Sequence, residues 1–214
     1  MTPATTGVLN ASNSVIRDPF GDHLLTPANS AMVVIDYQPA QVGAVRSMDR
    51  DLLVKNIVST VKLARVFRLP IVHSTVNVKS GRGKPTVPPL AELLGDTPPV
   101  DRTSINAWED ADFVRAVRAT GRRKLIFCAL WTDICLAFPA LDALREGYDV
   151  YPVVDAIGAT SLEAHRAGLE RVVQAGGRPI GWVSFASELQ RDWARSETVA
   201  DVVEIVLTER LLKE

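Results

Sequence analysis

The run AMVVID (31–36) is apolar at every position before its closing aspartate. A strand with one wet face alternates apolar and polar residues, so an unbroken run marks a strand buried on both faces. Such a strand needs helices on both sides of its sheet, and the rest of the chain supplies them in alternation. Helical spacing runs through LLVKNIVSTVKLARVF (52–67), DADFVRAVRATG (110–121) and LEAHRAGLERVVQAGG (162–177), the last two closing on glycine. PIVHSTV (70–76), KLIFCAL (124–130), YDVYPVVDA (148–156) and RPIGWVSF (178–185) read as strands, and a helix follows KLIFCAL. SGRGKPTVPP is a loop, and TVADVVEIVLTERLL (198–212) is an amphipathic C-terminal helix. Strands alternating with helices imply parallel pairing through crossover connections. The expected fold class is α/β, a three-layer α/β/α sandwich around a mostly parallel, Rossmann-like sheet of about six strands.

At 214 residues the chain can bury one sizeable core. The expected division is an irregular arm over 1–27, a domain over 28–196, and a C-terminal helix over 197–214 that covers the domain or a neighbouring subunit. With 24 basic against 25 acidic residues, no global field favours nucleic acid or an anionic membrane surface. No apolar run approaches the roughly 18 residues of a membrane span. The first residues lack the basic and apolar regions of a secretory leader. Cys128 and Cys135 fall on a strand and the helix after it, which does not suggest a disulfide. A reducing, cytoplasmic setting is therefore expected.

In parallel α/β sheets, ligands bind at the carboxyl ends of the strands. Three features stand there. Asp36 directly follows four apolar residues, where a carboxylate must be paired or its pKa rises; bracing a loop would also explain it. Cys135 falls in what reads as the first turn of a helix, with Thr132 or Asp133 as its cap. There the helix dipole should lower the thiol pKa, although a buried cysteine is also ordinary core filling. Pro139 cannot donate to the Cys135 carbonyl, so the helix should loosen one turn beyond the thiol. Arg102, in PVDRTSINAWED, can close another strand; it stays protonated at any working pH, so its role would be to pair with Asp36 or hold an oxyanion. Cys128, inside KLIFCAL, reads as core.

These stretches together resemble the isochorismatase-like cysteine hydrolases. The turn ALWTDIC is similar to that family's G-V-x-T-[DE]-x-C turn, with an aspartate closing the first strand and a basic residue before a central helix. INAWEDADFVRAVRATGRRKLI, CLAFPALDALREGYDVYPVVDA and SELQRDW look most like its YcaC-like branch, and the likeness runs over about residues 28–195. The resemblance implies a catalytic triad of Asp36, Arg102 and Cys135, with arginine where the family usually has lysine. It further implies a cis peptide at Leu130–Trp131 and an oxyanion hole formed by the N–H groups of Trp131 and Cys135. The implied reaction is hydrolysis of a small amide-type C–N bond through a thioester. Hydrolysis of an ester or cyclic imide, or a chiefly binding or structural role, are the alternatives. A homo-oligomer, tetramer or octamer, is implied as well.

The remaining features are weaker. Nicotinamidase-type relatives carry an Asp-x-His…His metal site, whereas the second strand here reads HSTVNVKSGRGK, so no metal is expected. One glycine in DYQPAQVGAV does not make a dinucleotide loop, so no cofactor is expected either. Gln38, two residues past Asp36, is a candidate substrate contact. His165 is either a partner of Cys135 or a surface histidine. Lys84 with SGRGKP can bind an anion or form a plain loop, and Trp108, Trp182 and Trp193 suit a pocket, an interface or the core. The expected partner is a small-molecule substrate.

Overall fold

The structure, a computed structural model of the chain, describes residues 18–208. In chain order the elements are Ser30–Ile35 (β1), Pro39–Ala44 (α1), Arg50–Val66 (α2), Ile71–Val76 (β2), Pro88–Leu93 (α3), Val100–Arg102 (β3), Ala111–Ala119 (α4), Lys124–Ala129 (β4), Ala137–Arg145 (α5), Asp149–Pro152 (β5), Leu162–Gln174 (α6), Trp182–Gln190 (α7) and Val199–Val203 (α8). The five strands pair in parallel in the order β3-β2-β1-β4-β5. Both β1 and β4 are buried at every position, as their apolar runs require.

Alternate residues of the central strands feed two cores. Met32 and Val34 face α2 and α7, with Leu53, Ile57, Val61, Phe185 and Leu189 around them. Ala31, Val33 and Ile35 face α4 and α5, against Phe113, Val117 and Ala140. Side chains fix several helix starts by accepting otherwise unpaired N–H groups. Asp49 caps α2 through Leu52 N–H, Asp110 caps α4 through Asp112 and Phe113, and Ser161 caps α6 through Ala164. Pro88 and Pro89 open α3, where a missing N–H costs nothing, so the end of SGRGKPTVPP is already helical.

One expectation needs correcting. RPIGWVSF is not a sixth strand: only residues 178–180 run beside β5, through Arg178 N–H to Val150 O and Ile180 N–H to Pro152 O at 2.9 Å each. At Gly181 the chain turns into α7, with Asp155 Oδ1 accepting from Trp182 N–H at 2.9 Å. The physical reason lies in the spacing, because Trp182, Phe185, Ala186, Leu189 and Gln190 are the buried positions, a helical stripe. Of the C-terminal helix expected over 198–212, residues up to 208 are described. Helix α8 ends at Val203 and a wider π-helical turn continues over Glu204–Thr208, while 209–214 lie outside the described residues. Val202 and Ile205 join the α2–α7 core. Of the expected N-terminal arm, residues 1–17 lie outside the description. Residues 18–29 are irregular and are held by Lys124 Nζ, which donates to the Asp22 and Leu24 carbonyls at 2.5 and 2.8 Å.

The chain runs from β1 outward to β3, then returns to place β4 on the other side of β1. The carboxyl ends of β1 and β4 thus flank the reversal point, where open α/β sheets form their binding crevice.

Candidate active site

Asp36 leaves β1 in the left-handed conformation, φ 62°, with its N–H on the Ser74 carbonyl at 3.0 Å. Aspartate tolerates that region better than most residues, and here it turns the carboxyl over the end of the sheet. Arg102 ends β3, two strands away, and its Nη2 donates to Asp36 Oδ2 at 2.5 Å. Its Nη1 donates to the Ser104 carbonyl. Both side chains of the pair are 0% exposed. Removing either partner would leave a bare buried charge, the costliest way to break such a pair. Burial pushes the Asp36 carboxyl above its usual range, against the lowering pull of Arg102 and of a hydrogen bond from the Cys135 thiol. No donor of ordinary geometry meets the other oxygen, Oδ1, which is buried. The thiol is therefore a loose rather than a tight partner of the carboxyl.

The peptide Leu130–Trp131 is cis, as the sequence resemblance implies. Leu130 is fully buried, with its N–H on the Ile35 carbonyl at 3.1 Å, which ties the turn back to β1. A π-helical turn follows over Thr132–Leu136 before α5 begins. The Trp131 carbonyl accepts from both Ile134 and Leu136, at 3.0 and 3.1 Å. The expected caps are absent, since Trp131 stands at the start of the turn with no side-chain cap. Thr132 is instead buried and directs Oγ1 to His165 Nδ1 at 2.9 Å. The loosening expected beyond the thiol lies at the thiol itself. Pro139 is the third residue of α5, where a missing N–H is tolerated, so α5 runs through it.

Cys135 is half-buried inside this turn. Its thiol pKa is not lowered but pushed up to about 12, by burial first and then by the Asp36 charge. Arg102 and a hydrogen bond from the Trp131 N–H pull the other way. The dipole expectation fails because a π-turn buried beside a carboxylate offers less to the thiolate than an open helix terminus. The resting thiol is protonated.

Other candidates sort by contact. Gln38 is 1% exposed and bonds only backbone: Nε2 donates to the Val76 and Lys84 carbonyls at 3.0 and 2.6 Å, and Oε1 accepts from Val76 N–H at 2.9 Å. It pins the 77–84 loop to the end of β1 and is not free to meet substrate. The Trp131 indole donates to the Gln41 carbonyl at 2.9 Å, fixing its ring against α1. Trp108 and Trp182 are core residues, while Trp193 is 64% exposed. His165 reaches the turn that carries Cys135 but bonds Thr132. Sequence reading missed that bond, together with Gly168 one helical turn on, though LEAHRAGLE places the two on one face of α6. His73 is buried in β2, its Nε2 2.8 Å from Thr86 Oγ1. A cavity of about 420 Å³ lies on that side, lined by residues including His73, Leu94, Pro98 and Asp101. Because Asp101 and Arg102 alternate along β3, the cavity and the ion pair lie on opposite faces of the strand. Among the described residues, no group of three or more His, Cys, Asp or Glu side chains gathers as a ligand set. Nor is any described helix long and apolar enough to cross a membrane.

The isochorismatase domain model matches residues 30–184, which span every strand and all three triad candidates. The chain belongs to the isochorismatase family. Within the family it is 38% identical to the probable hydrolase YcaC of Escherichia coli, over 77% of this chain and 79% of that one. The structure of YcaC from Pseudomonas aeruginosa, solved with hexane-2,5-diol and covalent acrylamide, superposes with a TM-score of 0.83 at 35% identity. That match covers 88% of this chain and 92% of the other. E. coli YcaC, described from its crystal structure as an octameric hydrolase of unknown specificity, superposes at 0.78 with 33% identity over 90% and 98% of the two chains. The isochorismatase-family assignment agrees with the fold class and the resemblance drawn from the sequence.

Proposed function

We propose that this chain is a cysteine hydrolase that cleaves a small amide-type C–N bond through a Cys135 thioester. The observation that carries the reading is the fully buried Arg102–Asp36 pair with the Cys135 thiol as a loose partner of the same carboxyl. Asp36, Arg102 and Cys135 take the catalytic roles, and no metal or cofactor enters the scheme.

A thiol held near pKa 12 is a poor nucleophile until its proton moves, so proton transfer accompanies attack. Asp36 takes the proton through Oδ1 as Sγ bonds to the carbonyl carbon. The new oxyanion accepts from the N–H groups of Trp131 and Cys135, the first of which bonds the resting thiol. The C–N bond breaks and Asp36 passes its proton to the departing nitrogen. Water then attacks the thioester while Asp36 takes one of its protons. The C–S bond breaks, Asp36 returns the proton to sulfur, and the acid product leaves. Arg102 never gives up a proton; it fixes Oδ2 and balances the carboxylate charge.

Covalent acrylamide in the P. aeruginosa relative supports a nucleophile in this family branch, since acrylamide is an electrophile that thiolates attack. The octameric state of E. coli YcaC supports a homo-oligomer here too, and exposed Phe20, Ile105 and Trp193 are apolar surface for it to cover. The two free thiols suit a reducing, cytoplasmic setting.

Intact-protein mass spectrometry after incubation with small primary amides and cyclic imides tests the reading, with Cys135→Ala beside the native chain. A transient adduct of acyl mass on the native protein alone is the expected result, and its mass identifies the substrate class. No adduct with any of them, together with unchanged amide, would overturn it.

A further inference from the structure

We infer that His165 is a positioning residue for the reaction: through its bond to Thr132 it sets the turn that aims Cys135 and the Trp131 N–H. This rests on the reading of Cys135 as the nucleophile. His165 Nδ1 lies 2.9 Å from Thr132 Oγ1, and Thr132 is fully buried. Thr132 opens the π-helical turn and is the residue between Trp131 and Asp133, so its placement orients the Trp131 backbone. Its N–H is bonded to the Gly158 carbonyl at 2.9 Å, which leaves the side chain as the second tether.

Helix α6 meets the turn at a second point. A Cβ on Gly168 would lie 2.6 Å from Asp133 Cα and 2.8 Å from its nitrogen, so only glycine lets α6 come this close. His165 and Gly168 are three apart and share one helical face. The backbone of α6 thus blocks outward movement of the turn while His165 holds it by a directed bond. Burial keeps the His165 ring below its ordinary pKa, with Asp133 pulling the other way, so near neutrality the ring is uncharged. An uncharged imidazole and a hydroxyl share one hydrogen bond without adding a charge beside the thiol. No bond links His165 to Cys135, so it acts through Thr132 alone and touches no reacting atom.

The test measures alkylation of Cys135 by iodoacetamide across pH, read by peptide mass spectrometry, alongside Tm. His165→Ala and Thr132→Val are each expected to slow alkylation by about three- to tenfold at a given pH, the effect of losing one neutral hydrogen bond. The double variant should be no slower than the worse single one, because both remove the same bond. His165→Gln and Thr132→Ser, which keep polar groups at the two ends, should recover most of the rate. A lower Tm with unchanged alkylation, or single effects that simply multiply, would overturn the inference. If Thr132→Val does not fold, His165→Ala against His165→Gln decides alone. Failure of the hydrolase reading shows separately, as native Cys135 that alkylates yet never carries an acyl group.

Discussion

The two cysteines lie seven residues apart, and their surroundings differ more than their burial does. Cys128 sits within β4 as its penultimate residue, fully buried in the core with Met32, Val34 and Ile126, and burial pushes its thiol far up. Cys135 sits past the end of the same strand, and its thiol is also pushed up, to about 12. A raised pKa therefore does not separate an inert thiol from a candidate nucleophile. What separates them is a destination for the proton. Cys135 has a carboxyl to receive it, a guanidinium to balance that carboxyl and a backbone N–H on the sulfur, whereas Cys128 lies among apolar side chains and feels the Asp155 charge with no hydrogen bond to it and no cation to balance it. The end of a buried strand is the place where the same chain can offer both.

The sharpest way to break that contrast is selective labelling. Iodoacetamide should modify Cys135 faster than Cys128, because reaching β4 requires opening worth at least about 5 kcal/mol, more than the raised pKa of Cys135 takes away. Comparable rates would mean that the two environments are not distinct. Next, Asp36→Asn should lower hydrolysis by about 10²–10⁴, the usual contribution of a general base. It should also move the alkylation pH profile of Cys135 to lower pH, since the charge that raises the thiol is gone. Slower hydrolysis with an unmoved profile would remove Asp36 from the thiol's surroundings. Gly168→Ala forces a methyl group against Asp133 and should cost about 1–3 kcal/mol. On a chain of this size that is a Tm loss of a few degrees, and Cys135 alkylation should slow with it while Cys128→Ala leaves it unchanged.

The smallest expected effect is a pH dependence of stability. Burial holds His73 and His165 below the ordinary value of 6.5, against the raising pulls of the Thr97 carbonyl and Asp133. The unfolded chain then binds protons that the folded chain refuses, so stability should fall as pH drops through about 6.5 and below. Thermal melts from pH 7.5 down to 5.5 should show Tm declining by a few degrees, and His73→Gln should flatten part of the slope. A Tm that rises on acidification would show that burial does not govern these rings.

Much of this was legible in the residues themselves. AMVVID and KLIFCAL announce doubly buried strands because nothing polar interrupts them, and Asp36 and Cys135 follow where such strands must end. Arg102 was legible as a cation near a strand end that could pair with Asp36; that it does so by reaching across β2 depends on strand order, which no local pattern encodes. WVSF misled because three apolar residues in four suit either period, and only Ala186 and Leu189 beyond them reveal the helix. Gln38 and Thr132 were misassigned for one reason. Their polar atoms go to partners 38, 46 and 33 residues away, and sequence spacing cannot show such pairings. The thiol pKa failed as an expectation because it is a sum over neighbours in space, of which the helix terminus is only one.

The short length of β3 and the segment beside β5 also limit how copies of this chain can meet. One margin of the sheet offers three residues of strand, and residues 178–180 already occupy the other before turning into α7. Neither margin presents a long row of open N–H and C=O groups, so the sheet has no template on which to grow from one molecule into the next. Among the described residues, the surfaces left for an assembly are helix faces and loops, and its growth is then limited by shape rather than left open like a fibre.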